Sequence, residues 1–194
     1  MNVNYPGGIK PCGHPIKAQK RHLESAANRG MGFEEDINET NAYYLEKGLA
    51  LIYKRPTPIN VVKVDYSHGA RITQAFFQCQ STTDYNGVYK GHYLDMEAKS
   101  SRSKTSFPLN NIAPQQVTHL RAIKKMGGLA FFIINLYALN ETYLLDAQYV
   151  CDFYEQKPRK SIPVEEIKAH GYLVKEGYRP RYDYLPLIDE HFLK

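Results

Sequence analysis

The stretch that most constrains this chain runs from Ser81 to Lys99: Ser-Thr-Thr-Asp-Tyr-Asn-Gly-Val-Tyr-Lys-Gly-His-Tyr-Leu-Asp-Met-Glu-Ala-Lys. Read as a strand, its second half sends successive side chains to opposite faces. Leu94, Met96 and Ala98 then share one face, fit for a core, and Asp95, Glu97 and Lys99 share the other. Ser81 to Tyr89 reads as the partner strand. Lys90-Gly91 sits at the turn, where glycine reaches positive φ at little cost. A tight hairpin of this kind brings Asp84 near Glu97. The plain alternative is a solvated hairpin face, but such a face seldom needs two acids and a lysine stacked at i, i+2 and i+4.

The arrangement Asp-x12-Glu-x-Lys has a chemical logic. Two clustered carboxylates repel unless a hard cation sits between them, and oxygen ligands of this kind suit Mg²⁺. Mg²⁺ held by one or two carboxylates keeps several waters and can also hold a phosphate oxygen. Lys99, on the same strand face, can orient or help deprotonate the attacking water, or neutralise charge on the phosphorane. The carbonyl of Ala98 can serve as a further ligand. Thr82 shares the Asp84 face at i, i+2, whereas Thr83 does not. The pattern resembles the Asp…(Asp/Glu)-x-Lys signature of the restriction-endonuclease-like nucleases.

The chain has 194 residues, enough for one domain with a sizeable core. Lys and Arg number 25 against 20 Asp and Glu, a net charge of +5. Such a surplus makes nucleic acid the first candidate among anionic partners, although an ordinary basic protein can carry it too. Cys12, Cys79 and Cys151 are odd in number and widely spaced. They form neither a disulfide framework nor a metal motif, which fits a reducing cytosol. No apolar run reaches about 18 residues, and the N-terminus lacks a signal-peptide core, so the expected location is cytoplasmic with no membrane partner.

In chain order, residues 1–28 read as a flexible basic arm, and residues 29–194 as a single nuclease domain. Cys12 and His14 lack the second ligand pair a metal site needs. Residues 33–47 read as the first helix, with Phe33, Ile37, Tyr44 and Leu45 as its apolar stripe. Glu34, Glu35 and Asp36 suit its first turn; the resemblance to restriction-endonuclease-like nucleases, in which a first-helix acid sometimes joins the metal site, makes Glu35 a candidate auxiliary. Gly48 ends the helix, and Leu49 to Tyr53 reads as the first core strand. Ile59 to Asp65 and Arg71 to Phe77 read as an inserted hairpin turning at Ser67-His68-Gly69. Ser100 to Lys104 reads as a polar, basic loop over the site. Pro114 opens a second long helix with a stripe of Val117, Leu120, Ile123 and Met126, stopped by Gly127-Gly128. Gln116 and His119 lie beside that stripe, where a glutamine is usually a rim residue. Leu129 to Leu136 reads as a buried strand pairing with Thr142 to Leu145, and residues 147–157 as a short helix. The remainder, including Tyr178-Arg179-Pro180-Arg181-Tyr182-Asp183-Tyr184, reads as an irregular basic-aromatic segment before a final short helix. No phosphate loop, Gly-x-Ser-x-Gly or His-Glu-x-x-His motif is present, which disfavours serine or zinc hydrolases.

Asn28-Arg29-Gly30-Met31, Asp36-Ile37-Asn38-Glu39-Thr40-Asn41, Lys54-Arg55-Pro56-Thr57-Pro58, Ser81-Thr82-Thr83-Asp84-Tyr85-Asn86-Gly87 and Lys104-Thr105-Ser106-Phe107-Pro108-Leu109 occur in that order. Together they resemble the RecU family of Holliday junction resolvases from Gram-positive bacteria, from about Asn28 to the C-terminus. The resemblance implies an α/β fold with a restriction-endonuclease-like core, a mixed central sheet flanked by helices. It implies that residues 56–78 form a stalk that enters the junction centre. It puts a threonine ligand at Thr82 and a glutamine of the metal cluster at Gln116, beside Asp84 and Glu97. It also implies a homodimer and a RecA-type recombinase partner.

The expected activity is therefore an Mg²⁺-dependent endonuclease, with Mn²⁺ as a possible substitute, that resolves four-way junction DNA by paired nicks leaving 5′-phosphates. Asp84, Glu97 and Lys99 are the candidate catalytic residues, and Thr82, Asp84, Glu97 and Gln116 the candidate metal ligands. Arg29, Lys54, Lys63, Arg71, Arg102 and Lys104 are the candidate DNA contacts. A nucleoid-associated, cytoplasmic enzyme is expected. Two rivals are a sequence-specific restriction-type endonuclease, for which no set of base-reading side chains stands out, and a junction-binding scaffold that does not cut, which need not keep all three of Asp84, Glu97 and Lys99.

Overall fold

The computed structural model describes residues 26–78, 82–156 and 159–193. Its centre is β7 (Leu129–Leu136), whose eight residues are all buried. An apolar strand of this length, with no polar face, demands cover on both sides. Leu129, Phe131 and Ile133 enter one core and Ala130, Phe132, Ile134 and Leu136 the other. The first core is roofed by α1 (Ala26–Glu46), through Phe33, Ile37 and Tyr44, and by α5 (Leu185–His191), through Leu185 and Ile188. The second lies under α2 (Pro114–Lys125), α3 (Ala147–Glu155) and α4 (Val164–His170).

Around β7 a six-stranded sheet forms in the order β1 (Leu51–Lys54), β4 (Tyr85–Tyr89), β5 (His92–Ser101), β7, β8 (Glu141–Asp146) and β10 (Tyr172–Leu173). β5 and β7 run parallel, joined by a crossover containing α2, and every other neighbouring pair is antiparallel. β2 (Ile59–Asp65) and β3 (Arg71–Phe77) form a sheet of their own, inserted between β1 and β4. β6 (Ser106–Pro108) pairs with β9 (Ser161–Pro163), and β11 (Lys175–Glu176) with β12 (Tyr182–Asp183). This is a mixed central sheet flanked by helices, with the inserted hairpin the sequence implied.

The β4–β5 hairpin turns through Lys90 at φ 48 and Gly91 at φ 82, with Tyr89 opposite His92. Positive φ at both central residues is the two-residue turn whose twist matches the flanking strands. Gly87 is required for another reason. It lies between Ile52 and Leu94, and a Cβ there would fall 2.0 Å from the Leu51 carbonyl oxygen.

Several expected boundaries move. The first helix starts at Ala26 rather than residue 33. Gly30 and Gly32 each cost a helix about 1 kcal/mol, but Ala26, Ala27 and Met31 favour it, and propensity is a weak prior. Residues 26–28 thus belong to α1 and not to the arm, while residues 1–25 lie outside the described residues. Ser100 and Ser101 continue β5 rather than opening a loop, because β7 still pairs with them through Asn135 and Leu136. Met126 is 81% exposed and no part of the α2 stripe, since it is the helix cap beside Gly127 at φ 83. The segment expected to be irregular after residue 157 contains β9 and α4, whose Ile162, Val164 and Ile167 complete the second core.

Candidate active site

The two-residue turn fixes the hairpin register: Tyr85 lies opposite Met96 and Gly87 opposite Leu94. Leu94 and Met96 therefore enter the α1 core, while Asp95 and Glu97 point to the α2 side, both fully buried. β4 starts only at Tyr85, so Thr82, Thr83 and Asp84 precede the ladder. Past Met96 the β4-facing edge of β5 has no strand beside it. The Asp84 carboxylate takes that place: its Oδ2 accepts the Ala98 N–H at 3.0 Å. A strand residue's N–H and C=O leave on the same edge, so the Ala98 carbonyl emerges beside Asp84.

Glu97 is the buried centre of the site. Its Oε1 lies 2.6 Å from Lys99 Nζ and accepts from Gln116 Nε2 at 2.5 Å. Its Oε2 is buried and has no hydrogen-bond partner among the described residues. Burial pushes the Glu97 carboxyl up to about 8, the neighbouring Asp84 charge adds to the shift, and Lys99 opposes it. Gln116 is held from behind. It sits in the first turn of α2, and its Oε1 accepts the Ala113 N–H at 2.9 Å, satisfying a donor the helix start leaves free. The amide thereby aims its NH₂ at Glu97. Asp84 and Lys99 open onto a cleft of about 580 Å³, also lined by Phe33, Glu34, Arg102 and Asn111.

Asp84, Glu97, Lys99 and Gln116 thus come together from the Thr82–Asp84 segment, β5 and α2. Thr82 does not join them through the strand-face relation expected of it. It lies ahead of β4, where strand alternation no longer applies, and makes no hydrogen bond to either carboxylate among the described residues. Thr83 is instead the buried threonine, and its hydroxyl donates to Asp95 Oδ1. On α1 the acid lining the cleft is Glu34, ion-paired with Lys54, and Glu35 is exposed. Phe33 and Ile37 face the core, and Glu35 lies about half a turn from both.

Of the candidate DNA contacts, Arg102 lines the cleft and is exposed, as is Lys104 near it. Lys63 and Arg71 are exposed on the inserted hairpin. Arg29 lies in α1, its side chain outside the described residues. Sequence patterns alone assign no role to Asp95, Arg55 or His119. His119 Nε2 lies 3.0 Å and Arg55 Nη2 2.7 Å from Asp95 Oδ2. The signal was present: Asp95 precedes Glu97 by two residues and shares its face.

The mixed six-stranded sheet, the helices flanking it and the inserted hairpin make this a mixed α/β protein. The family model described as RecU, Recombination protein U, matches residues 28–190, and the chain belongs to that family. The Holliday junction resolvase RecU of Geobacillus kaustophilus is 45% identical over 194 residues, covering 97% of both chains. That of Streptococcus equi subsp. equi is 46% identical over 196 residues, covering 98% of this chain and 97% of its own. Among solved structures, Archaeoglobus fulgidus Hjc, a Holliday junction resolvase from an archaeal hyperthermophile, shares 15% identity. The match covers 74% of this chain and 94% of that one, with a TM-score of 0.42.

Proposed function

We propose that this chain is a Holliday junction resolvase: a divalent-metal-dependent endonuclease, with Mg²⁺ as its ion and Mn²⁺ able to replace it. The reading rests on family membership and on one observation, the buried Glu97 carboxylate with an unpartnered oxygen beside a second carboxylate. A buried carboxylate oxygen left without a partner is costly, and a hard cation between Asp84 and Glu97 relieves that cost. The donor set fits Mg²⁺: two carboxylates, with the Ala98 carbonyl beside them. Thr82 remains a proposed contributor through its place two residues before Asp84.

A bound divalent cation supplies positive charge to the phosphate and acidifies an attacking water. The chain's own residues do the rest. Asp84 and Glu97 would hold the ion. Gln116 holds one Glu97 oxygen, which leaves Oε2 for the cation. Lys99 keeps its ammonium at the carboxylate pair, positioned to orient water and to offset charge developing on the phosphoryl oxygens. Arg102, lining the cleft, and Lys104, near it, attract the flanking phosphates, with Lys54 at its Glu34-lined edge and Arg29 on α1. Hydrolysis by an activated water leaves a 5′-phosphate.

The β2–β3 hairpin, residues 56–78 with its flanks, is proposed as the stalk that enters the open junction centre. Lys63 and Arg71 there face phosphates that a linear duplex does not present. Resolution needs two nicks in strands of like polarity, and this chain has one catalytic set, so the working form is a homodimer. A recombination role places the protein with chromosomal DNA in the cytoplasm, alongside a RecA-type recombinase.

A mobile four-way junction and a linear duplex incubated with Mg²⁺ test the reading. Paired symmetric nicks in the junction alone are expected. Glu97→Gln should bind the junction without cutting it, and mixtures of wild-type and Glu97→Gln chains should accumulate singly nicked junctions. Glu97→Gln cutting at the parent rate would overturn the site, and mixed dimers that resolve fully would overturn the dimer.

A further inference from the structure

Beside the catalytic set lies a second buried carboxylate that the proposed chemistry leaves unused. Asp95 is fully buried, and four donors converge on it. The Thr83 hydroxyl donates to Oδ1, while Arg55 Nη2 at 2.7 Å, the Tyr93 hydroxyl at 2.9 Å and His119 Nε2 at 3.0 Å meet Oδ2. Both oxygens of this carboxylate are engaged, three of the donors crowding Oδ2. The donors come from the segment before β4, the residue after β1, β5 itself and α2.

A purely architectural role would be to tie β1, β4 and β5 together. Those strands are already joined by ladders from Leu51↔Val88 to Lys54↔Tyr85 and from Tyr85↔Met96 to Tyr89↔His92. What the ladders do not hold is the segment of residues 82–84, which carries Asp84. Besides the bond from the Ala98 N–H to the Asp84 carboxylate, that segment is gripped at two points. Thr83 is bound to Asp95, and the Arg55 N–H donates to the Asp84 carbonyl at 2.7 Å, while the Arg55 side chain returns to Asp95. On α2, His119 lies one turn beyond Gln116. The helix is therefore pinned to alternate residues of one strand, Gln116 to Glu97 and His119 to Asp95.

We propose that Asp95 is a positioning residue for the metal centre, which sets Asp84 through Thr83 and Arg55 and sets Gln116 through His119. The inference rests on the metal-site reading above. Asp95 itself touches neither ion nor substrate. It fixes the separation of Asp84 and Glu97 before any cation arrives, so the site spends little free energy on assembling its ligands. Groups that orient metal ligands in this way typically alter metal affinity about 10- to 100-fold when removed.

The test measures Mn²⁺ affinity directly, from the electron paramagnetic resonance signal of free Mn²⁺, with metal-free junction affinity and melting temperature alongside. Thr83→Val keeps the shape and removes the hydroxyl. It should weaken Mn²⁺ binding by about 10-fold and leave metal-free junction binding within about twofold, and Thr83→Ser should restore the Mn²⁺ affinity. Asp95→Asn should weaken Mn²⁺ binding in the same direction; should that variant not fold, the Thr83 pair decides. A Thr83→Val chain that melts lower yet binds Mn²⁺ as the parent does overturns the inference and leaves the function reading standing. A wild-type chain that neither binds Mn²⁺ nor nicks the junction overturns both.

Discussion

At the scale of residues, Glu97 couples folding to chemistry. Its carboxyl is raised to about 8, so between its unfolded value near 4.5 and 8 the folded chain holds a proton that the unfolded chain releases. Folded-state stability without metal therefore falls as pH rises through that window. A cation needs the carboxylate form, so metal affinity rises over the same range and levels off above about pH 8. Calorimetric titration of Mn²⁺ between pH 6 and 9 should show this rise, and Glu97→Gln should abolish both the binding and the metal-free fall in stability. A pH-independent Mn²⁺ affinity in the parent would contradict it. The pairing of Asp84, Glu97 and Lys99 was legible because a strand has a period of two. The same period marked Asp95, yet its use was hidden, since its partners Arg55 and His119 lie 40 and 24 positions away in the chain. The choice of Thr82 over Thr83 rested on strand alternation beside the family resemblance, and alternation does not reach back beyond the start of β4 at Tyr85.

At the scale of elements, the hairpin is the rigid part of the site, and Gly87 shows how tightly it is built. Gly87→Ala would drive a methyl group into the Leu51 carbonyl and the Ile52 Cα, which lies 2.7 Å from the built Cβ. Backbone cannot rotate away as a side chain can, so the cost should reach at least the 1–3 kcal/mol typical of overpacking. Urea unfolding should show it as a lowered midpoint, and an unchanged midpoint would mean that β1 is looser than described. β7, α2 and the inserted hairpin were all readable, because their patterns are local: an apolar run, Pro114 with Gly127, two β-rich segments around a turn. α4 carried its signals too, with Glu165 and Glu166 in its first turn and Lys168 and His170 in its last. It went unread because a seven-residue helix shows barely two turns of periodicity. The early start of α1 was masked by Gly30 and Gly32, whose local cost is outweighed by tertiary packing further along the helix.

At the scale of the whole molecule, the inserted hairpin leaves and rejoins the sheet almost at one point. Lys54 pairs directly with Tyr85, the Arg55 N–H meets the Asp84 carbonyl, and the Gln78 N–H donates to the Pro58 carbonyl at 3.1 Å. Beyond that neck β2 and β3 pair, among the described residues, only with each other, with Val61, Val62, Tyr66, Ile72, Phe76 and Phe77 exposed. The sequence displayed this insertion as a unit, but its independence from the core is visible only in the pairing. Replacing residues 59–77 with a short Gly/Ser turn should leave melting temperature and Mn²⁺ affinity near the parent values, because shortening a loop changes closure entropy little. Preference for junction over duplex should collapse, as competition binding would read, and a truncated chain that still discriminated would strip the hairpin of its proposed role. The neck also bears on descent. Residues can be added to or lost from the tip without moving any atom of the carboxylate pair, so the shape of DNA recognised and the bond broken are free to evolve on separate schedules.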